Sequence, residues 1–190
     1  MEKNELTVED RGFLLKLARD SITRATAQKP LPDFDLASLS PDLKKAGASF
    51  VTLTTGGRLR GCIGALEAYQ PLAEDVREHA AAAAMEDYRF PPVQPGEVAS
   101  LHIEISRLTP AHPLEYADTE DLLAKIHPGV DGIILRDGAR RATFLPQVWE
   151  QVTDKEEFLS HLCMKMGASP NLWRTKKMGV LVYQVEELHE

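Results

Sequence analysis

The chain has 190 residues, 43% of them hydrophobic and 27% charged, the profile of a globular protein that buries most of its apolar surface without covalent staples. A formal net charge of −7 argues against broad contact with a phosphate backbone and makes nucleic acid a poor partner. The two cysteines, Cys62 and Cys163, belong to no Cys-x-x-Cys pair, which excludes a disulfide framework and points to a reducing compartment.

In chain order, the opening MEKNELTVEDRGF is acidic and has no apolar run, so no signal peptide is expected. No apolar run reaches the roughly 20 residues that span a bilayer, and the expected location is the cytoplasm. Thr7 and Asp10 form a capping pair before a helix whose Leu14, Leu17, Ala18, Ile22 and Ala25 recur at helical spacing. KPLPDFDLASLSPDLKKAG reads as a long ordered loop. ASFVTLTT is β-rich, Gly56-Gly57 signals a hairpin, and RLRGCIG is the return strand. Pro71 suits the first position of the next helix, LAEDVREHAAAAAME, which DYRFPPVQPGE breaks. His79 on this helix and His161 on a later one read as surface residues.

VASLHIEISRL alternates: Leu101, Ile103 and Ile105 share one face, and His102, Glu104 and Ser106 the other. DTEDLLAKIHPG predicts a short helix. DGIILRDGARRATFLP predicts a hairpin turning at Asp137-Gly138. TDKEEFLSHLCMKMGAS predicts a helix capped by Thr153 with Glu156, ending at Gly167 and burying Cys163 in its apolar stripe. MGVLVYQVEEL reads as one central strand. Strands in hairpin-like groups between helices indicate an α+β fold with a largely antiparallel sheet. Phosphate-loop, dinucleotide-loop, serine-elbow and HExxH motifs are absent.

Cys62 is the sharpest candidate. Gly61 and Gly64 bracket it, and Arg58 and Arg60 precede it. Cations lower a thiol's pKa and activate it as a nucleophile, while glycines let a ligand approach the backbone. The arginines share the face of Cys62 only if no bulge intervenes. Three roles stay open for Cys62: nucleophile, ligand-contacting wall and packed structural thiol. His102 and Glu104 share a strand face and offer a general base for a Cys-His-Glu site, or a solvated sheet face with no role. Arg89, held in DYRFPP, is pre-oriented for a carboxylate or phosphate, or else pairs with Asp87 or Glu86. His102 and Glu104 could also bind a metal, but no third ligand has a telling spacing, so no metal site is assigned, and the sequence does not identify a cofactor.

The block LRGCIG, followed in order by DYRFPPV, LHIEIS, DGIIL, TFLPQVW and EEFLSHLCMKMG with the nearby LW, resembles the AMMECR-type domain family, whose bacterial and archaeal members are named AmmeMemoRadiSam system protein A. The resemblance covers essentially the whole chain, 1–190, as a single AMMECR-type domain. It departs at Arg141-Ala142, where many members have Arg-Gly, which weakens that strand as a binding wall. The resemblance implies two lobes with a cleft between them: a large lobe from both chain ends and a smaller one from the middle. It implies no settled activity. It does imply a working association with a Memo-like protein and a radical S-adenosylmethionine protein. Two functional readings follow. In one, the chain is a ligand- or partner-binding component with Arg60, Gly61, Gly64 and Arg89 at the ligand. In the other, it is an enzyme acting through Cys62 on a small anionic substrate, with His102 or Glu104 as base.

Overall fold

The computed structural model describes residues 5–190; residues 1–4 of the acidic opening stretch lie outside that range. The fold is α+β, with antiparallel sheets. The chain divides into two compact units, residues 1–108 with 186–190, and residues 109–185.

The first unit opens with α1 (Val8–Thr26), capped by the Thr7 hydroxyl, which accepts the Asp10 N–H as the sequence pattern indicates. The expected loop that follows contains two short ordered turns: a 3-10 turn at Leu36–Ser38 capped by Asp35, and α2 (Pro41–Lys44) capped by Ser40. These polar caps satisfy backbone donors locally, which is why Ser and Asp here mark helix starts as well as coil. Strands β1 (Ala46–Thr55) and β2 (Arg58–Gly64) form the predicted hairpin. Gly56 and Gly57 turn it with φ of 57° and 75°, a region that side-chain-bearing residues avoid. The two-residue β3 (Gln70–Pro71) pairs with the start of β1 and leads into α3 (Leu72–Met85), so Pro71 caps the helix rather than opening it. A 3-10 turn at Pro95–Ser100 precedes β4 (His102–Leu108).

The strand order of this sheet is β2-β1-β4-β9, with β9 (Val185–His189) at the far edge. One face carries Val51, Leu53, Ile103 and Ile105, which join Leu14, Ile22, Val76 and Ala80 of α1 and α3 in a single core. Full burial of each Val, Leu or Ile side chain among them contributes about 1.5–3 kcal/mol. Ser49 of the same face donates to Asp75 Oδ2 at 2.6 Å, and His79 Nδ1 lies 3.1 Å from that oxygen. His79 is therefore a buried partner of α3 rather than the surface residue the sequence suggests. Glu186 ties β9 to this unit through Arg11, Arg107 and the Leu6 N–H.

The second unit contains β5 (His112–Pro113), α4 (Thr119–Lys125), β6 (Gly132–Asp137), β7 (Arg140–Phe144), a 3-10 turn at Pro146–Glu150, α5 (Lys155–Lys165), α6 (Leu172–Thr175) and β8 (Gly179–Tyr183). Its sheet runs β5-β8-β6-β7. The core gathers Ile133, Leu135, Val180 and Val182 with Leu159, Leu162 and Cys163 of α5, and Trp149 stacks on Phe158. Ala142 belongs to this core too, so the departure at Arg141-Ala142 falls on the helix-covered face.

Three further expectations are corrected. The cap of α5 is Asp154, which accepts the Glu157 N–H, because it stands directly at the first helical residue where Thr153 does not. The second hairpin turns at Gly138-Ala139, since Asp137 pairs with Arg140. MGVLVYQVEEL is two strands in two different sheets, with Gln184 between them held by reciprocal bonds to Thr109. Its unbroken apolar run conceals this division, because both strands bury residues.

The packing makes a stability prediction. A Cβ added at Gly61 would lie 2.1 Å from the Ala83 carbonyl oxygen of α3, whereas one at Gly12, exposed on α1, meets nothing within 4 Å. Gly61→Ala should cost about 1–3 kcal/mol or more through overpacking. Gly12→Ala should gain about 0.5–1 kcal/mol from helix propensity. Urea melts of the two variants check the contrast.

Candidate functional site

The face of the first sheet opposite its core carries Cys62, His102 and Glu104. Thr52 of β1 is registered with Cys62 on one side and with Glu104 on the other. Cys62, Thr52 and Glu104 thus form one cross-strand row. Thr52 Oγ1 donates to Cys62 Sγ at 3.3 Å. At the far end of the row His189 Nδ1 stands 3.6 Å from Glu104 Oε2, and its Nε2 stands 3.5 Å from Glu187. His102 is exposed and opposite Thr54, one row away. With strands about 4.8 Å apart, Cys62 and Glu104 are separated by roughly 10 Å at the backbone. Among the described residues, no imidazole or carboxylate hydrogen-bonds the thiol.

β2 is an edge strand, and the backbone of Cys62 points outward. The DYRF loop meets it there with side chains instead of another strand. Asp87 Oδ2 accepts the Cys62 N–H at 2.8 Å, and Arg89 Nη2 donates to the Cys62 carbonyl at 3.3 Å. Arg89 also forks onto Asp87, with Nε at 2.9 Å from Oδ1 and Nη2 at 2.7 Å from Oδ2. The pair imitates a partner strand at one residue, and it closes an edge that would otherwise present free donors and acceptors. Cys62, with both its backbone groups turned away from β1, is a non-hydrogen-bonded partner of Thr52, which brings their side chains close.

The electrostatics follow from this clip. The Arg89 guanidinium, together with the Cys62 and Arg89 N–H donors, holds the buried Asp87 carboxyl well below the usual carboxylate range. Arg89 is raised in turn, first by its hydrogen bond to Asp87, with Coulombic contributions from Asp87, Cys62 and Tyr88. Of the alternatives for Arg89, the structure has the pair with Asp87.

Arg60 stands elsewhere. The register slips between Leu53 and Thr54, so that Leu53 faces Gly61 while Thr54 faces Leu59. This bulge at Arg60 breaks the alternation that would have aligned Arg58 and Arg60 with Cys62. The Arg60 guanidinium instead grips Glu97, with Nε at 3.0 Å and Nη2 at 3.1 Å, and Nη1 donates to the Pro91 carbonyl at 2.8 Å. That fork, with the Gln94 N–H, lowers the pKa of Glu97. Arg60 therefore straps the Pro-rich loop to the sheet.

The glycines accommodate the protein's own atoms. The space at Gly61 is taken by the Ala83 carbonyl, and the space at Gly64 by the Phe50 ring and the Ser49 carbonyl. Sequence reasoning missed Thr52, which only its alternation with Val51 and Leu53 could have signalled, and His189, whose partner Glu104 lies far away in the chain. Among the described residues, no group of three or more His, Cys, Asp and Glu is arranged to hold a metal ion, and no helix is long and apolar enough to cross a membrane.

Two outcomes are expected. Because the carboxyl of Asp87 is depressed in the folded chain, its contribution to stability is complete above its ordinary value of 3.8. That contribution is lost as pH falls from there toward the folded-state pKa. Asp87→Asn should cost about 1–3 kcal/mol at neutral pH and flatten the acid limb of a stability-versus-pH series measured by chemical denaturation. The second outcome concerns the thiols. Cys62 is half-buried and Cys163 fully buried, and burial pushes the Cys163 thiol up. Iodoacetamide with mass spectrometry should label Cys62 in the native protein and Cys163 only on unfolding.

Comparison with known proteins accords with this architecture. The AMMECR1 family model matches residues 15–188. A protein of Methanothermobacter thermautotrophicus is 40% identical over 195 residues, covering 100% of this chain and 99% of that protein. One from Methanopyrus kandleri is 39% identical, covering 98% and 91%. The crystal structure of an uncharacterized protein from Pyrococcus horikoshii superimposes with a TM-score of 0.83 at 33% identity, covering 97% of this chain and 93% of that one. By fold, by motif order and by these relatives, the chain belongs to the AMMECR1 family.

Proposed function

We propose that the chain is a ligand- or partner-binding component rather than a self-contained enzyme. It would act in the cytoplasm with the Memo-like protein and the radical S-adenosylmethionine protein that the AmmeMemoRadiSam resemblance implies. The surroundings of Cys62 carry this reading. The thiol bonds a threonine hydroxyl, while nucleophilic cysteines ordinarily have a base within hydrogen-bond reach. Arg60 and Arg89, the cations an anionic substrate would need, are occupied by Glu97 and Asp87.

A surface feature supports a macromolecular partner. Tyr88 is 94% exposed between the two residues of the clip, on a loop also pinned by Phe90 N–H to Asp87 carbonyl and Val93 N–H to Ala84 carbonyl bonds. A large aromatic held out on a rigid loop loses little entropy on docking, the property of interface anchors.

The enzymatic alternative draws on one observation, the guanidinium of Arg89 beside Cys62. In that reading Cys62 acts as the nucleophile toward a small anionic substrate, with Glu104 at the other side of Thr52, or His102 one row away, as base.

Size-exclusion chromatography with the two partner proteins, with and without S-adenosylmethionine, separates the readings. Complex formation is expected with the native chain, and Cys62→Ser should keep it. Tyr88→Ala should weaken it about tenfold with an unchanged melting temperature. If no complex forms, and Cys62→Ser abolishes function in cells, the binding reading fails and the enzymatic one stands.

A further inference from the structure

The loop after α3 runs Phe90-Pro91-Pro92-Val93-Gln94-Pro95, and proline sets its shape. A proline fixes its own φ at roughly −65° and disfavours the helical region for the residue before it, so Phe90, Pro91 and Gln94 are all biased toward extended backbone. Gln94 has φ −87° and ψ 150°, close to the torsions of a polyproline helix, and residues 91–94 belong to neither helix nor strand. A polyproline helix has about three residues per turn. Burial follows that period. Phe90 is half-buried and Val93 lies in the core, while Pro91 and Gln94 on the second edge and Pro92 and Pro95 on the third are exposed. One edge is pinned inward and the other two stand out as a ridge.

The ridge keeps its polar groups occupied. Its prolines have no N–H. The Phe90 and Val93 N–H groups donate to the Asp87 and Ala84 carbonyls at 3.0 and 2.8 Å, and the Gln94 N–H donates to Glu97 Oε2 at 2.7 Å. The carbonyls are engaged as well. Pro91 accepts from Arg60 Nη1 at 2.8 Å, Pro92 from the Gln94 side chain at 3.2 Å, and Gln94 from the Glu97 N–H at 2.9 Å. The two arginines that hold this loop are themselves paired, Arg60 with Glu97 and Arg89 with Asp87, so recognition falls to the prolines and to Tyr88. Stiffness alone does not account for the arrangement, because the clip at Asp87, the strap of Arg60 and Val93 in the core already fix the loop.

An apolar surface can cover this ridge without stranding a donor or acceptor. The cost in entropy is small, because proline has no side-chain rotamers to freeze and the backbone is fixed before docking. Polyproline ridges dock in grooves lined by aromatic side chains. Tyr88, exposed two residues before the ridge on the same pinned loop, adds an aromatic anchor beside it. We propose that the ridge from Phe90 to Pro95 is the surface gripped by a partner protein through a groove lined by tryptophan and tyrosine. The proposal rests on the partner-binding reading above and adds to it the chemistry of the partner's surface.

The test is amide NMR of the isotope-labelled full chain in two arms. In one it is titrated with the Memo-like and the radical S-adenosylmethionine protein in turn; in the other with a WW domain, an isolated aromatic groove of the required kind. Saturable binding is expected, with shifts centred on Phe90, Gln94 and Gly96. The double variant Pro92→Ala, Pro95→Ala strips one exposed edge. It should weaken binding about tenfold or more and lower the melting temperature only slightly, through the freer unfolded chain. If a partner protein binds and the double variant binds it as the native chain does, the ridge proposal is overturned while the partner-binding reading stands. If neither partner protein binds but the WW domain docks on these residues, the choice of partners fails and the ridge stands. The proposal is overturned if neither arm shifts these residues at millimolar concentration. It is equally overturned if the native chain self-associates through them, since the occupant is then a second copy.

Discussion

The close approach of α3 to β2 governs the region around Cys62. With no side chain at Gly61, the Ala83 carbonyl sits where a Cβ would be, and the last turn of the helix lies directly on the edge strand. The chain leaves that turn at Met85, and two residues later Asp87 is already within reach of the Cys62 N–H. Arg89 follows and completes the clip. A bulkier residue at 61 would lift α3 away and carry the loop with it. The packing glycine, the edge protection and the placement of Tyr88 are therefore one mechanical arrangement.

The two cysteines show how location decides chemistry. Cys163 lies in the stripe of α5 among Leu159, Leu162 and Phe158, where burial disfavours the thiolate. Cys62 occupies an open sheet face, with a hydroxyl on one side and a guanidinium clamped near its backbone. The row it begins continues through Thr52 and Glu104 to His189. Read across the strands, the row presents a thiol, a hydroxyl, a carboxylate and an imidazole in turn.

Much of the fold was legible in the sequence, because its signals are local. The capping of α1 by Thr7, the Gly56-Gly57 turn and the alternation of Ile103 and Ile105 against His102 and Glu104 depend on neighbours a few residues away. The errors arose where local rules compete. Thr153 and Asp154 are both good caps, and only the register of α5 selects Asp154. The run from Gly179 to Leu188 is apolar enough for one strand, yet it serves two sheets. His79 looked like a surface residue until Ser49 and Asp75 appeared beside it in space.

For the candidate site, the residue types alone established that a cysteine between close-packed glycines, an arginine in a Pro-rich loop and a His-x-Glu strand face belong to one family pattern. Their partners were decided only by tertiary structure. The bulge at Arg60 turned its guanidinium to Glu97, the return of the loop after α3 gave Arg89 to Asp87, and the pairing of the last strand brought His189 to Glu104. The physical reason is range. Caps, turns and alternation are set by torsions and bonds within a turn or two of the chain. The charge partners of a side chain are set by which distant segments pack together, and a single residue of register slip redirects them.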